Sequence, residues 1–146
     1  GRGAESIGIM GMSLGGYTTS LLATLEHSLA FAIPIIPLAS IADIAKNAGR
    51  FVGSPAEQAQ QFAGLESVHR AVSPLARRPR IDRDRVLILA ADGDKITPVE
   101  HAQRLADHFG APLETFHGGH ILQFGRADAF RSMGRFLGKL GLLAGR

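Results

Sequence analysis

Short apolar runs with almost no charge recur along the chain and predict buried β-strands. Between these runs, hydrophobic residues return at the three- and four-residue spacing that is typical of amphipathic helices. The strand runs are residues 6–10, 29–36, 85–91 and 113–116, and the helical segments are residues 17–25, 38–64, 99–109 and 127–137. Pro34 lies inside the second run. Because proline cannot donate to a sheet ladder, this strand is expected to end either there or at Pro37.

The predicted elements alternate between strand and helix along the whole chain. Such alternation predicts an α/β domain in which helices cover both faces of a mostly parallel sheet, giving three αβα layers. Uninterrupted apolar strands favour the same fold class, because strands of a parallel sheet are buried on both faces. The 146 residues suffice for one hydrophobic core, so we interpret residues 1–146 as a single domain.

The composition of the chain narrows the function classes that need to be considered. Hydrophobic residues make up 45% and charged residues 20% of the sequence, which is typical of a globular protein. No apolar run reaches the roughly 18–20 residues of a membrane span, and the first residues lack a signal-peptide pattern. The absence of cysteine excludes disulfides and thiolate metal sites. A cytoplasmic location is therefore the default expectation.

The formal net charge of +3 raises the question of nucleic-acid binding. The densest basic segment, residues 70–85, is interrupted by Asp82 and Asp84 and contains no aromatic side chain that could stack on a base. We therefore interpret this segment as a solvated loop and expect no nucleic-acid partner.

Residues 11–15, with the sequence Gly-Met-Ser-Leu-Gly, form a G-x-S-x-G motif between a predicted strand and a predicted helix. Such a sharp turn raises the hydroxyl of Ser13 above the sheet edge and places the backbone N–H of Leu14 beside it. The alternative is a glycine-rich turn that binds phosphate or only packs tightly, but the glycine spacing differs from that of dinucleotide-binding loops. Ser13 is therefore the candidate nucleophile, and the Leu14 N–H is a candidate oxyanion donor.

A serine nucleophile needs a general base that is itself oriented by a carboxylate. Asp94 follows the third predicted strand, and His120 follows the fourth in a glycine-flanked loop. The carboxyl ends of parallel strands share one edge of the sheet, so both side chains are expected at the same edge as Ser13. We therefore predict Asp94 as the acid and His120 as the base of a catalytic triad.

Other assignments of the same side chains stay open. Asp92 competes with Asp94, because the alternation of side chains along a strand could present either carboxylate. His117 competes with His120, although it ends the predicted strand. The four side chains together could also bind a divalent cation, but this interpretation leaves Ser13 unexplained, and no metal is expected. The remaining histidines are interpreted as surface residues: His27, His69, His101 and His108.

Taken in order, these motifs resemble the carboxyl-terminal half of the α/β-hydrolase superfamily, from its nucleophile elbow onward. Residues 11–16 resemble the elbow, residues 91–98 resemble the turn that carries the acid, and residues 118–120 resemble the histidine loop. The resemblance implies a partial α/β-hydrolase fold. It also implies a serine hydrolase that cleaves a small-molecule ester, less often a thioester, amide or peptide, through an acyl-enzyme and without a cofactor.

The resemblance implies a role for each candidate residue. Ser13 would attack the substrate carbonyl, His120 would shuttle the proton, and Asp94 would hold the imidazolium. Residues 38–66 fall where the family inserts a cap over its pocket. Apolar side chains in this region would line an acyl site or simply belong to the core: Ile41, Ile44, Phe51, Phe62 and Leu65.

The family places several strands before its elbow, and a loop among them supplies the second oxyanion donor. We therefore expect this chain to be a fragment that lacks the amino-terminal half, with the strand at residues 6–10 forming an unpaired edge of the sheet. Such a chain is expected to be poorly active and prone to aggregate. The alternative function is a catalytically silent binding or interaction module, because a fold does not by itself fix a function.

Overall fold

A computed structural model describes residues 6–143 of the chain. Within these residues, four short parallel strands form one sheet in the order β1-β2-β3-β4. The strands are β1 (Ile9–Met12), β2 (Ala32–Ile35), β3 (Ile88–Ala91) and β4 (Leu113–Phe116). The α-helices are α1 (Leu14–Ala23), α2 (Ile41–Asn47), α3 (Pro55–His69), α4 (Val99–Phe109) and α5 (Arg126–Lys139). Short 3-10 turns at Arg70–Val72, Pro74–Ala76 and Arg83–Arg85 lie between α3 and β3.

Helices cover both faces of the sheet. On one face, Ala23 of α1 and Phe109 of α4 share an apolar cluster with Ile88 of β3. On the other face, Met133 of α5 shares a second cluster with Leu89, the next residue of the same strand. Successive residues of β3 therefore point into two separate cores, as strands of a parallel sheet do. The predicted three-layer αβα class is confirmed.

Pro34 does not end the second strand. It lies within β2, which pairs with β1 along its whole length. On the β3 side, the N–H of Ile36 donates to the carbonyl of Leu89 at 2.7 Å. On the same side, the carbonyl of Ala32 accepts from the N–H of Leu87 at 3.1 Å. The missing N–H of Pro34 thus lies between two hydrogen bonds to β3 that are made. The proline costs β2 one hydrogen bond to β3, but the strand stays in the sheet.

The bounds of several elements differ from those predicted, while α4 and β4 match them. β1 lies at Ile9–Met12 rather than at residues 6–10, and α1 begins directly after Ser13. Helix α3 continues to His69, beyond the predicted end of the helical segment at residue 64. Helix α4 ends at Gly110, whose φ of 61° is the left-handed conformation that glycine adopts freely. Within residues 6–143, none of the helices is both long and apolar enough to traverse a bilayer.

The region predicted as a cap, residues 38–66, contains α2 and most of α3. Ser54 begins α3 in a reciprocal capping box with Glu57, which satisfies backbone N–H groups that a helix start leaves unpaired. The rings of Phe51 and Phe62 meet edge-on with centroids 6.1 Å apart. Both rings line a surface cavity of about 310 Å³. That this region covers a substrate pocket stays a prediction.

Candidate active site

Ser13 occupies a sharp turn between β1 and α1. Its backbone has a φ of 54° and a ψ of −116°, a conformation that residues other than glycine rarely adopt. The N–H of Ser13 donates to the carbonyl of Ile35 at 3.0 Å, and its carbonyl accepts from the N–H of Tyr17 at 3.0 Å. Strain of this kind costs about 1–3 kcal/mol and persists only where the surrounding structure enforces it. The turn therefore has the geometry of a nucleophile elbow.

Small residues around Ser13 make this turn sterically accessible. A Cβ at Gly11 would lie 2.4 Å from the carbonyl oxygen of Gly15, and a Cβ at Gly16 would lie 2.9 Å from Pro37. At Gly15, by contrast, no atom of the described residues outside the neighbouring helix backbone lies within 4 Å of the place where a Cβ would be. Close packing thus requires glycine at the first position of the motif and just after it, where α1 passes β2.

Asp94 and His120 are joined by a hydrogen bond at the carboxyl edge of the sheet. The Nδ1 of His120 lies 2.7 Å from the Oδ2 of Asp94. The other oxygen, Oδ1, accepts from the N–H of Ile96 at 2.8 Å and from the N–H of Thr97 at 2.9 Å. Asp94 is buried, with 6% of its surface exposed, and the His120 side chain is 18% exposed. The carboxylate is therefore fixed by its own turn and oriented toward the imidazole.

The electrostatic surroundings keep Asp94 ionised. Burial acts to raise the pKa of its carboxyl group, but hydrogen bonds from Thr97, His120 and Ile96 outweigh burial and hold the pKa below its ordinary value of 3.8. An ionised carboxylate can only accept hydrogen bonds. The proton in the bond between Asp94 and His120 is therefore on the Nδ1 of His120. The Nε2 of the neutral imidazole is then free to accept a proton, as a general base requires.

Thr97 lies beside Asp94 and His120, although no motif of the sequence pointed to it. Its hydroxyl lies 2.9 Å from Asp94 Oδ2, 3.2 Å from His120 Nδ1 and 3.0 Å from the carbonyl oxygen of Ile36. The side chain thus ties the acid to the end of β2. One signal was available, because a threonine three residues after an aspartate is placed to hydrogen-bond back to it across a turn.

The competing pair, Asp92 and His117, is also formed, but separately and nearer to solvent. The Nδ1 of His117 lies 3.3 Å from Asp92 Oδ2, and both side chains are exposed. Each aspartate therefore contacts a different histidine: Asp92 contacts His117, and Asp94 contacts His120. Within residues 6–143, no group of three or more histidine and carboxylate side chains is arranged to hold a metal ion.

Ser13 lies at the same sheet edge, because β1, β3 and β4 are parallel and each ends just before a candidate residue. Among the described residues, no hydrogen bond joins the Ser13 hydroxyl to His120, whereas the His120–Asp94 bond is made. Hydrogen bonds of catalytic groups are often long without substrate and tighten when it binds. The N–H of Leu14 belongs to the first turn of α1, where N–H groups lack partners within the helix.

One of the histidines interpreted as a surface residue is buried. His101 of α4 accepts a hydrogen bond from the N–H of Ala39 at its Nδ1, at 3.0 Å. The prediction was wrong because this residue faces inward on α4 and finds an unpaired backbone donor in the loop after β2. Desolvation lowers the pKa of His101 below its ordinary value, so the ring is neutral and can accept that bond.

Comparison with known proteins gives sequence relatives but no family assignment, since no protein-family model matches the chain. The relatives include two proteins of Mycobacterium tuberculosis, uncharacterized protein MT2702 and uncharacterized protein Rv2627c. Each is 35% identical to the chain over 143 residues. The alignment covers 94% of the chain but 33% of each relative, so the chain spans about a third of their length.

Solved structures with a similar backbone include peptidases and an esterase. The Mycobacterium tuberculosis puromycin-hydrolyzing peptidase is 21% identical with a TM-score of 0.64. The aligned region is 93% of this chain and 22% of the peptidase chain. The Pyrococcus horikoshii acylaminoacyl peptidase is 18% identical with a TM-score of 0.65, covering 92% and 24%. The Pyrococcus furiosus esterase is 16% identical with a TM-score of 0.69, covering 93% and 55%. Together with the parallel sheet and the elbow at Ser13, these likenesses show that the chain has the α/β-hydrolase fold.

Proposed function

We propose that the chain carries the catalytic triad of a serine hydrolase, Ser13, His120 and Asp94, and that its substrates are carboxylic esters of small molecules. The observation that carries this proposal is the 2.7 Å hydrogen bond between buried Asp94 and His120, at the sheet edge where Ser13 holds its strained turn. Similarity of fold to peptidases and to an esterase supports hydrolytic chemistry. Because the chain spans a third of its curated relatives, the activity of a longer protein is part of the same proposal.

The first half of the reaction transfers the acyl group to Ser13. The Nε2 of His120 removes the hydroxyl proton while the Ser13 oxygen attacks the ester carbonyl. Asp94 stays ionised and stabilises the imidazolium through the Nδ1–H bond. The negative charge that develops on the carbonyl oxygen is stabilised by the N–H of Leu14 at the start of α1. His120 then protonates the leaving alkoxide, and the alcohol departs from the acyl-enzyme.

The second half releases the acid and restores the enzyme. His120 removes a proton from a water molecule, which attacks the acyl carbonyl. Collapse of the tetrahedral intermediate breaks the bond to Ser13, and the proton on His120 returns to the serine oxygen. No group beyond the three side chains and the oxyanion donors enters these steps, so the proposal includes no metal or cofactor.

A silent binding module is the second candidate function. The observation in its favour is that no hydrogen bond joins the Ser13 hydroxyl to His120 in the part of the chain described. A module of this kind would keep the fold without an activated serine. The two functions differ in whether Ser13 reacts with an electrophile.

Labelling with a fluorophosphonate probe tests the proposal directly, because the probe phosphonylates only an activated serine. The 146-residue chain is expected to be labelled, and Ser13→Ala is expected to lose the label. Ser67→Ala is the matched control, because Ser67 is an exposed serine on α3. Absence of label on a folded wild-type chain would overturn the hydrolase proposal and favour the silent module.

The ester preference needs its own measurement. A p-nitrophenyl ester and the p-nitroanilide of the same acid differ only in the bond that is cleaved. We expect faster release of p-nitrophenol, because p-nitrophenolate leaves without protonation, whereas the anilide nitrogen must be protonated by His120 before it leaves. A higher rate on the anilide would show an amidase or peptidase instead.

A further inference from the structure

Asp92 makes a hydrogen bond that the proposed reaction does not use. Its Oδ1 accepts from the backbone N–H of Gly118 at 3.0 Å, while its Oδ2 faces the His117 ring. The backbone N–H of Asp92 donates to the carbonyl of Phe116 at 3.0 Å. The carboxylate is thus held at the end of β3 and reaches across to the residue that begins the loop after β4.

Gly118 is held from both sides by the turn that carries the acid. Besides its N–H bond to Asp92, its carbonyl accepts from the N–H of Gly93 at 2.8 Å. Its φ of 141° is open only to glycine, and a Cβ would lie 2.7 Å from the carbonyl oxygen of Leu122. Gly118 is therefore a fixed point of the loop, two residues before His120.

The rest of the loop is closed by bonds within itself. The N–H of Gly119 donates to the carbonyl of Leu122 at 2.8 Å, and the N–H of Gly125 donates to the carbonyl of His117 at 2.6 Å. Among the described residues, the hydrogen bonds that join the backbone of this loop to the turn carrying the acid are made by Gly118. The orientation of the loop relative to Asp94 therefore depends on what holds that glycine.

We propose that Asp92 is a positioning residue that holds the histidine loop, residues 117–125, through the Gly118 N–H and thereby keeps His120 facing Asp94. This inference rests on the proposed function. The two aspartates of the turn have separate roles, since Asp94 orients the imidazole ring and Asp92 orients the backbone that carries it.

The charge of Asp92 fits this role. The N–H of Gly118 and then the His117 ring hold the pKa of the Asp92 carboxyl below its ordinary value of 3.8. The group is therefore ionised at neutral pH and bonds to the Gly118 N–H as a charged acceptor, which is stronger than a neutral one.

The test replaces Asp92 by alanine, asparagine and serine in the 146-residue chain. Asparagine keeps an oxygen that can accept from Gly118, whereas alanine has none and the serine hydroxyl is too short to reach. Asp84→Ala is the control, since the Asp84 side chain is 88% exposed in a turn elsewhere. Three quantities are measured: the fluorophosphonate labelling rate of Ser13, the exchange rate of the Gly118 amide, and the NMR signal of the His120 Nδ1–H proton.

We expect Asp92→Ala and Asp92→Ser to lower the labelling rate about 10- to 100-fold, because small displacements of a catalytic group are costly. In both variants the Gly118 amide should exchange faster and the Nδ1–H signal should broaden. Asp92→Asn keeps a neutral, weaker acceptor and should lie between the wild type and Asp92→Ala, while Asp84→Ala should resemble the wild type. An unchanged labelling rate and a sharp Nδ1–H signal in Asp92→Ala would overturn the inference. A wild-type chain that is never labelled, but whose Nδ1–H signal still depends on Asp92, would reject the proposed function and retain the positioning role.

Discussion

Two residues of the candidate site hold positive φ angles for different reasons. Ser13 has a φ of 54° and carries a Cβ, so its turn stores strain that the bonds to Ile35 and Tyr17 must offset. Gly118 has a φ of 141° and no Cβ, so it follows its path without strain. Backbone strain therefore lies at the candidate nucleophile and at Ile36, whose φ is 40° just after β2, whereas glycine is used where the histidine loop passes close to its own backbone.

Substitution of Gly118 by alanine should be strongly destabilising. We expect Gly118→Ala to lower the free energy of unfolding by about 1–3 kcal/mol, because the new Cβ would meet Leu122 and the backbone would be strained. Gly134→Ala is the matched control, because Gly134 lies within α5 and, among residues 6–143, no atom outside the neighbouring helix backbone lies within 4 Å of its Cβ position. Alanine there should raise stability by about 0.5–1 kcal/mol. Urea denaturation of both variants measures the difference, and equal effects would contradict this account.

The Thr97 hydroxyl should matter for stability as well as for the site. We expect Thr97→Val to cost about 1–3 kcal/mol of unfolding free energy, since Asp94 and the buried carbonyl of Ile36 each lose a hydroxyl neighbour. Thr97→Ser keeps the hydroxyl and should recover most of that loss. Chemical denaturation of the two variants is the measurement, and a valine variant as stable as the serine variant would show that these bonds are dispensable.

At the scale of elements, helix α4 and the loop after β2 are joined through His101. The ring is neutral, and its Nδ1 accepts from Ala39 N–H. A protonated ring could not accept this bond, so the contact depends on pH. Burial dominates over the charged groups that act on the ring, which are Asp43, Arg104, Glu100 and Asp94.

Stability should therefore fall as the pH drops below the ordinary pKa of histidine. The folded state holds the pKa of His101 below 6.5, so the unfolded chain binds more protons between the two values, and stability decreases as pH falls through that window. His101→Leu should be less stable at every pH but should lose this part of the pH dependence. Thermal unfolding between pH 7.5 and 5.5 tests this, with exposed His27→Gln as control. An unchanged slope in His101→Leu would show that other groups titrate.

Elements bounded by local signals could be predicted from the sequence. Helix α4 lies between a proline and Gly110, and both its ends match the prediction. The bounds of β1 and β2 were missed, because they depend on pairing between distant segments. Pro34 is tolerated in β2 because its missing N–H removes one hydrogen bond to β3 while the bonds on either side are made, which no local pattern reveals.

The candidate site was predictable in its composition but not in its contacts. The parallel direction of the strands puts the residues that follow β1, β3 and β4 at one edge of the sheet, so Ser13, Asp94 and His120 could be expected there together. Which aspartate meets which histidine depends on the dihedral angles of the turn after β3. The Thr97 contacts follow from the same turn and were not foreseen. The catalytic roles of these residues stay predictions.

At the scale of the whole molecule, β1 forms one side of the sheet and pairs only with β2 within residues 6–143. Two methionines of this strand, Met10 and Met12, are exposed at 50% and 41% of their surfaces. They border a cavity of about 320 Å³ between β1 and α5, lined mainly by apolar side chains such as Phe130 and Met133. An apolar strand edge of this kind is a template for association with other chains.

Self-association of the 146-residue chain should therefore depend on this edge. We expect Met10→Lys to raise the concentration at which the chain remains monomeric, because a charged side chain on an edge strand opposes pairing. Val68→Lys adds the same charge at an exposed position of α3 and should have little effect. Static light scattering over a concentration series compares the variants, and equal association of both would exclude β1 as the contact.

The sequential order of the strands also has a kinetic consequence. Each of the strands β2, β3 and β4 pairs with the strand that precedes it along the chain, so the sheet can grow one neighbour at a time. The connection from β2 to β3 is the longest of the three, since it includes α2 and α3, and it loses the most chain entropy on closing. We therefore expect the β1–α1–β2 and β3–α4–β4 units to form early and to dock late. Pulsed hydrogen exchange during refolding should then protect β3 and β4 together before the bonds between β2 and β3 appear.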